Sequence, residues 1–278
     1  MITELFLLEP VQLGVAMRLQ VLLSAMNIEG LDFLDEMNIQ SDMILINQGA
    51  VHGVEAVSYR GHTIEIYSFR ERGIGLSRNT ALMRANADIV LFADDDCAYV
   101  DGYCDIVLQT FHEHPEADII FFNLDSLNAE RQEPLDHSFH RVYWCNCLKY
   151  GACRIAARLE KVRKANVFFS LLFGGGARYS AGEDSLFIMD CLKRRLRLYA
   201  SPKCIGTVRQ ENSTWFQGYT RKYYHDRGAL FGAISPCWAY FLCAQFVLRY
   251  RENTRDVGGI WQAWKLMGNG VREYAHDR

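Results

Sequence analysis

The stretch "VLFADDDC", residues 90–97, places three consecutive aspartates directly after an apolar run that is typical of a buried strand. Like charges in adjacent positions repel one another, so a cation or a hydrogen-bonded ligand would compensate them. Alternate side chains of a strand point the same way, so Asp94 and Asp96 can share one ligand while Asp95 points elsewhere. Taken alone, the tripeptide is also compatible with a solvated acidic turn.

Predicted strands and helices alternate on both sides of this stretch. The hydrophobic patterns predict strands at 19–27, 42–49, 62–69, 88–93 and 118–124, and helices at 30–38, 75–87 and 102–113. This alternation favours a mostly parallel sheet with helices on both faces. Ligands of such sheets bind outside the carboxyl ends of the strands, where Asn27, Gln48 and the three aspartates should gather.

The pattern changes after residue 125. The sequence predicts a polar connection at 127–137, a strand at 138–148, a basic helix at 157–166, a strand at 204–210 and helices at 214–233 and 237–250. Three successive glycines, 174–176, indicate a loop that allows close approach of another group. Glu183 and Asp184 then open a helix, and the positive end of the helix dipole keeps such carboxylates ionised and available as bases. A plain helix cap would use the same residue types.

Composition limits the classes of protein that fit. With 278 residues, half of them hydrophobic, the chain can bury the core of one large domain or of a domain with an appendage. Its formal charge of −3 and pI near 6.2 do not favour general nucleic-acid binding. Nine scattered cysteines without a paired CxxC framework indicate a reduced interior, and the lone pair Cys145 and Cys147 lacks further metal ligands.

No sequence feature predicts a membrane span. No apolar stretch reaches the roughly 18–20 residues that a spanning helix needs. The first residues, "MITELFLLEPVQLGVAM", lack a basic region followed by a cleavage site, so we expect no signal peptide. The sequence therefore predicts a cytoplasmic protein. The aromatic stretch 237–250 is interpreted as a helix that packs on the core, with peripheral contact at the inner face of the plasma membrane as the alternative.

Upstream of the aspartates, "RERGIGLSRN" brings Arg70, Arg72 and Arg78 towards the same sheet edge. Arginine offers forked donors that suit phosphate, although a solvated helix face would carry the same residues. The sequence favours a functional role for Arg78 among the three.

Four segments in order, "VLLSAMN", "SDMILINQ", "RGIGLSRNTALMRANADIVLFADDDC" and "GARYSAGEDSLF", resemble bacterial inverting glycosyltransferases of family 2, particularly those that build capsular or other surface polysaccharides. The resemblance covers roughly residues 19–215. It implies an α/β GT-A fold, with a Rossmann-like, mostly parallel sheet flanked by helices and a helical C-terminal extension. It also implies a division into an extension 1–16, a catalytic domain 17–215 and a helical region 216–278. Within the catalytic domain, 17–125 would hold the nucleotide sugar and 126–215 the acceptor.

The resemblance also implies roles for individual residues. The nucleotide would be held by Asn27, Asn47, Gln48, Arg78, Asn79, Asp94 and Asp95. Asp96 and Asp94 would ligate a manganese or magnesium ion bound to the diphosphate. Asp184 would be the general base, and Glu183 would position the acceptor beside it. Relatives often supply a histidine after the last sheet strand, which is absent here, and Gln210, Asn212 or His225 could take its place.

Taken together, the sequence predicts an inverting enzyme of the hexosyltransferase type. It would move a sugar from a nucleotide diphosphate, with UDP as the expected carrier, to a glycan or lipid-linked acceptor. One alternative is a catalytically silent subunit that binds sugar nucleotides or glycans with the same fold. Another is a sugar-phosphate nucleotidyltransferase, but the glycine-rich triphosphate loop of that class is missing after the first strand.

Overall fold

The computed structural model describes residues 17–128, 134–209 and 218–276. Its ten strands are β1 (Leu19–Met26), β2 (Asp42–Gln48), β3 (Gly53–Tyr59), β4 (His62–Phe69), β5 (Ile89–Asp94), β6 (Cys97–Tyr99), β7 (Ile119–Ser126), β8 (His140–Arg141), β9 (Ile155–Arg158) and β10 (Leu198–Val208). Its helices are α1 (Phe33–Glu36), α2 (Ile74–Arg84), α3 (Tyr103–Glu113), α4 (Leu159–Ala165), α5 (Glu183–Lys193), α6 (Arg221–Ile234), α7 (Ala239–Arg249) and α8 (Ile260–His276). The predicted extension 1–16, Gln210 and Asn212 lie outside the described residues.

All ten strands belong to one sheet, in the order β3-β4-β2-β1-β5-β9-β7-β10-β6, with β8 paired to β10. The strands β4, β2, β1 and β5 run parallel to one another, and β7 runs parallel to β10. In the register of the parallel strands, Met26 pairs with Gln48, and Ser24 pairs with Asp94. The carboxyl ends of β1, β2 and β5 therefore meet at one edge, as the sequence predicts.

Alternation along the strands creates a core on each face of the sheet. In β1, Val21 and Leu23 belong to one buried cluster with α1 and α3, and Leu22 belongs to the other cluster with α2, α5, α6 and α8. This layering is the predicted arrangement of helices on both faces of a central sheet.

Several local predictions differ from the structure. The helix predicted at 30–38 shrinks to the four residues of α1, of which Leu34 is the buried one. The strand prediction at 138–148 is wrong: only His140–Arg141 pairs with β10, and a 3₁₀ turn follows at Cys147–Lys149. The edge strand β3 was not predicted from the sequence. None of its residues is fully buried, so it lacks the apolar run that marks the inner strands.

The two strands that flank β9 explain another difference. The predicted basic helix 157–166 begins only at Leu159, because Ile155–Arg158 pairs antiparallel with both β5 and β7. This strand joins the parallel first half of the sheet to its second half. Such a pairing depends on residues distant in the chain and leaves no local signature.

The helices α6 and α8 pack closely through glycines. A Cβ atom at Gly270 would lie 1.9 Å from the His225 carbonyl oxygen, and one at Gly228 would lie 2.0 Å from that of Met267. The helix α7, close to the stretch predicted at 237–250, buries Ala239, Cys243 and Val247. Among the described residues, none of the helices combines the length and apolar character that crossing a membrane requires.

Candidate functional site

One arginine connects the three motifs that the sequence singles out. Nη2 of Arg78 lies 2.8 Å from Oδ1 of Asp94, and Nη1 lies 2.7 Å from Oε1 of Glu183. The Arg78 side chain is 5% exposed, whereas those of Glu183 and Asp94 are 12% and 33% exposed. The guanidinium thus joins the end of β5 to the start of α5, and Arg78 and Glu183 are 105 residues apart in the chain.

Arg78 stays protonated although it is buried. Burial by itself would favour the neutral form, but the carboxylates of Asp94 and Glu183 outweigh it and raise the pKa of Arg78. Its Nε atom is buried and has no hydrogen-bond partner among the described residues. A buried donor of this kind is costly unless an acceptor satisfies it.

The residues on either side of Arg78 fix the helix α2 to the sheet and to the loop that precedes the glycines. Ser77 donates a hydrogen bond from Oγ to Oγ of Ser24 on β1, at 2.8 Å. The amide of Asn79 donates to the Phe169 carbonyl at 2.9 Å and accepts from the Phe169 backbone N–H at 2.7 Å. Asn79 is therefore committed to the loop before the glycines, and its predicted nucleotide contact stays a prediction.

Two polar side chains at the end of β2 also bind backbone. Asn47 accepts from the Ile28 N–H and donates to its carbonyl, both at 3.0 Å, which fixes the loop after β1. The buried Gln48 donates to the Gly73 carbonyl at 3.1 Å. Asn27 is exposed at φ 54°, in the left-handed region that asparagine tolerates. All three lie at the predicted edge, and their nucleotide contacts stay predictions.

Next to this edge lies a cavity of about 280 Å³. Its floor includes Leu45 and Ile66, and Asn47 and Glu55 supply polar groups. The short helix α1 and the loop 28–31 form the part of the chain between β1 and β2, and Ile28, Gly30 and Leu31 line the cavity. An apolar floor with a few polar groups is typical of a small-ligand site.

The three aspartates lie in the turn from β5 into β6. Asp94 and Asp96 are half-buried and Asp95 is exposed. Incomplete hydration and the neighbouring charge of Asp94 raise the pKa of Asp95. The backbone carbonyl of Asp96 accepts from the Arg209 N–H at 3.1 Å, and this pairing holds the turn against the end of β10.

Carboxylates at this turn suit a hard divalent cation. Magnesium and manganese prefer oxygen ligands, and they keep phosphate oxygens or water besides one or two protein carboxylates. Among the described residues no cluster of three or more His, Cys, Asp or Glu side chains could hold a metal. Asp94 already pairs with Arg78, so the ligation of an ion by Asp96 and Asp94 together with a diphosphate stays a prediction.

The glycine-rich loop brings Glu183 to the arginine. Gly174 has φ +104°, and a Cβ there would lie 2.7 Å from Oε2 of Glu183 and 2.5 Å from the Ile74 side chain. The Ile74 N–H donates to the Gly175 carbonyl at 2.9 Å, where the loop meets the start of α2. The predicted loop at 174–176 is confirmed. The close approach of Glu183 and Ile74 to Gly174 leaves no room for a side chain there, which explains the glycine.

Asp184 is half-buried and lies beside a negative charge. Burial, followed by the charge of Glu183, raises the pKa of Asp184 to about 7. The Ser185 N–H and the cations of Arg78 and Arg227 oppose this shift. A carboxylate with a pKa near neutrality is suited to general-base catalysis. The influence of Arg227, on α6, leaves no signal in the sequence.

His225 lies on α6 within a different set of contacts. Its Nδ1 is 3.3 Å from Oδ1 of Asp226, and its Nε2 is 3.1 Å from Oε2 of Glu273. Both ring nitrogens therefore have protein partners, and the suggested role as a metal or diphosphate contact stays a prediction.

Of the three arginines named from the sequence, Arg70 and Arg72 are exposed, and Arg70 donates to the Ala50 carbonyl.

Comparisons with known proteins agree with this architecture. Residues 42–177 match the family model described as "Glycosyl transferase family 2". A crystal structure of residues 1–349 of S. aureus TarS in complex with UDP-GlcNAc superposes with a TM-score of 0.60 at 15% identity, covering 85% of this chain and 73% of that one. The same fragment in complex with UDP gives 0.59 at 15% identity, over 87% and 74%. By sequence, the chain has no match among curated proteins. The predicted GT-A fold is thereby confirmed.

Proposed function

We propose that the chain is a nucleotide-sugar glycosyltransferase of family 2, which transfers the sugar of a UDP-sugar with inversion, using Asp184 as general base. The acceptor is the hydroxyl of a glycan or of a lipid-linked sugar, in the synthesis of a bacterial surface polysaccharide such as a capsule.

The observation that carries this proposal is the bridge formed by Arg78. It connects Asp94, at the end of β5, to Glu183, the residue before Asp184, through two ion pairs of 2.8 and 2.7 Å. A donor bound at the strand ends would therefore lie next to Asp184. Holding both reactants against one rigid arginine lowers the entropic part of the reaction barrier.

UDP is the proposed carrier. The TarS structures with the same fold contain UDP-GlcNAc and UDP. In this chain the unpaired Nε of Arg78 offers a buried donor to a nucleotide oxygen. The proposed site of the base is the cavity lined by Asn47 and Glu55, and Asn27, Gln48, Asn79 and Asp95 are the further proposed nucleotide contacts.

Asp96 and Asp94 would hold a manganese or magnesium ion, which when bound stabilises negative charge on the departing diphosphate. The carboxylate of Asp184 accepts the proton of the acceptor hydroxyl. That oxygen forms the new bond to the anomeric carbon while the bond from that carbon to the diphosphate oxygen breaks on the opposite face. Glu183 orients the acceptor, and its charge, held by Arg78, keeps Asp184 basic enough to take the proton near neutral pH.

Calorimetry and a transfer assay test this function together. Purified protein is titrated with UDP, with and without manganese, and assayed for UDP release from a panel of UDP-sugars with glycan acceptors. We expect UDP binding that strengthens with manganese, and release that requires an acceptor. Binding without release from any sugar nucleotide would favour the silent binding subunit, and absence of UDP binding would contradict the proposed donor.

We further propose that the outer surface of α7 contacts an anionic bilayer. The helix is apolar on both faces, and its outward stripe of Trp238, Phe241 and Leu248 is 62–64% exposed. The cations of residues 235–265 are Arg249, Arg251, Arg255 and Lys265. They outnumber Glu252 and Asp256, the acids of residues 235–265, although the whole chain carries −3. Aromatic residues with adjacent cations are typical of interfacial helices.

Sedimentation with vesicles tests this contact. The wild type should sediment with vesicles that contain phosphatidylglycerol and much less with phosphatidylcholine alone. Changing Trp238, Phe241 and Leu248 to serine should abolish sedimentation. The control Val51→Ser/Val54→Ser, at similarly exposed valines just before and within the edge strand β3, should not. Equal sedimentation of both variants, or a change in oligomeric state instead, would contradict the bilayer contact.

A further inference from the structure

The segment that leads into Glu183 and Asp184 lies along one face of α6. Lys222 donates from Nζ to the Arg178 carbonyl at 3.1 Å. One helical turn later, the carboxylate of Asp226 accepts from the backbone N–H of Ser180 at 2.9 Å and from its Oγ at 2.8 Å. Alternate residues of the segment thus meet helix residues four apart, which share one face of a helix.

The third contact of this series comes another turn along α6. A Cβ atom at Gly182 would lie only 2.7 Å from Cδ1 of Leu230, so the backbone directly before Glu183 packs on that leucine. Gly182 has φ +116°, a conformation that other residues rarely adopt. The backbone of residues 178–182 is therefore held at three points before α5 begins.

Asp226 is the strongest of these three points. Its side chain is 5% exposed and also contacts Lys222 and Nδ1 of His225. Burial alone would raise the pKa of Asp226, but the bonds from Lys222 and Ser180 outweigh it and lower that pKa. The group is thus an ionised, buried carboxylate that accepts a backbone N–H, and charge-assisted bonds of this kind are strong.

The helix that carries Asp226 is itself firmly held. Gly228 and Gly270 let α6 and α8 approach at backbone distance. From α8, Tyr274 packs against Phe173 and Tyr179 of the glycine-rich loop, with ring centroids 5.7 and 6.3 Å away. Displacement of the segment would therefore require the α6 and α8 pair to move or its contacts to break.

We propose that Asp226 is a positioning residue: it fixes segment 178–182 on α6 and so holds Glu183 and Asp184 in place against Arg78. It acts through the backbone of Ser180 and does not take part in the reaction. The proposal rests on the proposed function for its effect on catalysis, but its structural part stands independently of the substrate.

The chain offers a matched control at the other end of the sheet. Asp118 is also buried, at 7% exposure, and accepts from the Arg197 N–H at 2.8 Å and from Arg197 Nε at 3.4 Å. It precedes β7, at the amino end of that strand, away from the candidate site. Asp226→Asn and Asp118→Asn therefore remove the same charge from comparable settings.

Hydrogen exchange and kinetics test the proposal on these two variants and on Ser180→Ala. In Asp226→Asn, the backbone amides of 178–186 should exchange at least about tenfold faster than in the wild type. Its kcat should fall by about tenfold or more while the UDP dissociation constant changes by less than about twofold. Ser180→Ala, which keeps the backbone bond, should show the same pattern more weakly. Asp118→Asn should leave exchange of 178–186 and kcat near the wild-type values.

The outcomes are distinguishable. If segment 178–186 exchanges equally in Asp226→Asn and Asp118→Asn, the positioning role is wrong, whatever the activity. If exchange rises in Asp226→Asn but kcat equals that of the wild type, the segment does not position the base, and the proposal is overturned. If the wild type transfers no sugar, the proposed function fails, and the exchange comparison alone still decides whether Asp226 holds the segment.

Discussion

The first half of the site, residues 17–125, and its second half, residues 126–276, are built in different ways. In the first half the candidate residues Asn27, Gln48 and Asp94 lie at the carboxyl ends of parallel strands that coincide in register. In the second half Glu183 and Asp184 are placed by a glycine-rich loop that lies against α2, α6 and α8. The comparison teaches that parallel strands bring the residues of the proposed donor site together, whereas the position of the proposed base depends on long-range packing.

Arg78 is the point where the two halves meet, so its loss should have the largest effect. Arg78→Met leaves the carboxylates of Asp94 and Glu183 partly buried without a counter-charge. We expect the free energy of unfolding to fall by about 3 kcal/mol and UDP binding to weaken strongly. Chemical denaturation and calorimetry measure these changes.

A control arginine sharpens this prediction. Arg209 pairs with Glu36 on the surface, with side chains 39% and 60% exposed. Arg209→Met should cost less than about 1 kcal/mol of stability. Equal losses for the two variants would mean that Arg78 has no special role in joining the halves.

The next largest effect should come from separating the helices behind the second half. Gly270→Ala would place a Cβ 1.9 Å from the His225 carbonyl oxygen, so α6 and α8 must move apart. We expect a loss of about 2 kcal/mol in the free energy of unfolding, together with reduced transfer. UDP affinity should stay close to that of the wild type, because the strand ends of the first half are unaffected.

Gly53→Ala on β3 is the control, since nothing lies within 4 Å of its Cβ position. Thermal unfolding and calorimetry should find it near the wild type in both stability and UDP affinity. A loss of UDP affinity in Gly270→Ala as large as its loss of transfer would show that the halves do not separate in this way.

A smaller effect concerns the pH dependence of sugar transfer, which reports on Asp184 in the second half. Since the pKa of Asp184 is raised to about 7, the base is protonated below that pH, and kcat/KM should fall about tenfold per pH unit below it. The folded state binds this proton more tightly than the unfolded chain, whose pKa is near 3.8. The contribution of Asp184 to stability should therefore decrease as pH rises from about 4 to 7.

Glu183→Gln tests the cause of the shift. After burial, the charge of Glu183 is the largest contribution that raises the Asp184 pKa, so its removal should move the midpoint of the pH profile to lower pH by about one unit. Profiles of kcat/KM against pH for the two proteins measure this. A midpoint that moves to higher pH would contradict the electrostatic account of the base.

The same comparison explains what the sequence can predict. The parallel strands of the first half, the loop at 174–176 and the helix beginning at Glu183 follow from local patterns, and Asp94, Arg78 and Glu183 do come together. The strand β9 and the shortened structure at 138–148 depend on partners distant in the chain. The contacts of Asn79 with Phe169 and of Asp226 with Ser180 depend on tertiary packing too, and local residue patterns carry no signal for them.

The central claim is that both halves form one site, in which Asp184 is the base. Asp184→Asn keeps the size of the side chain and removes its ability to take a proton, while Asp190→Asn changes an exposed aspartate further along α5 that pairs with Lys193. The most direct measurement compares, for these two variants, the UDP dissociation constant by calorimetry with the rate of sugar transfer. The account predicts that Asp184→Asn binds UDP like the wild type but loses transfer by about 10³-fold or more, while Asp190→Asn is unchanged in both. Transfer by Asp184→Asn at the wild-type rate would contradict the account.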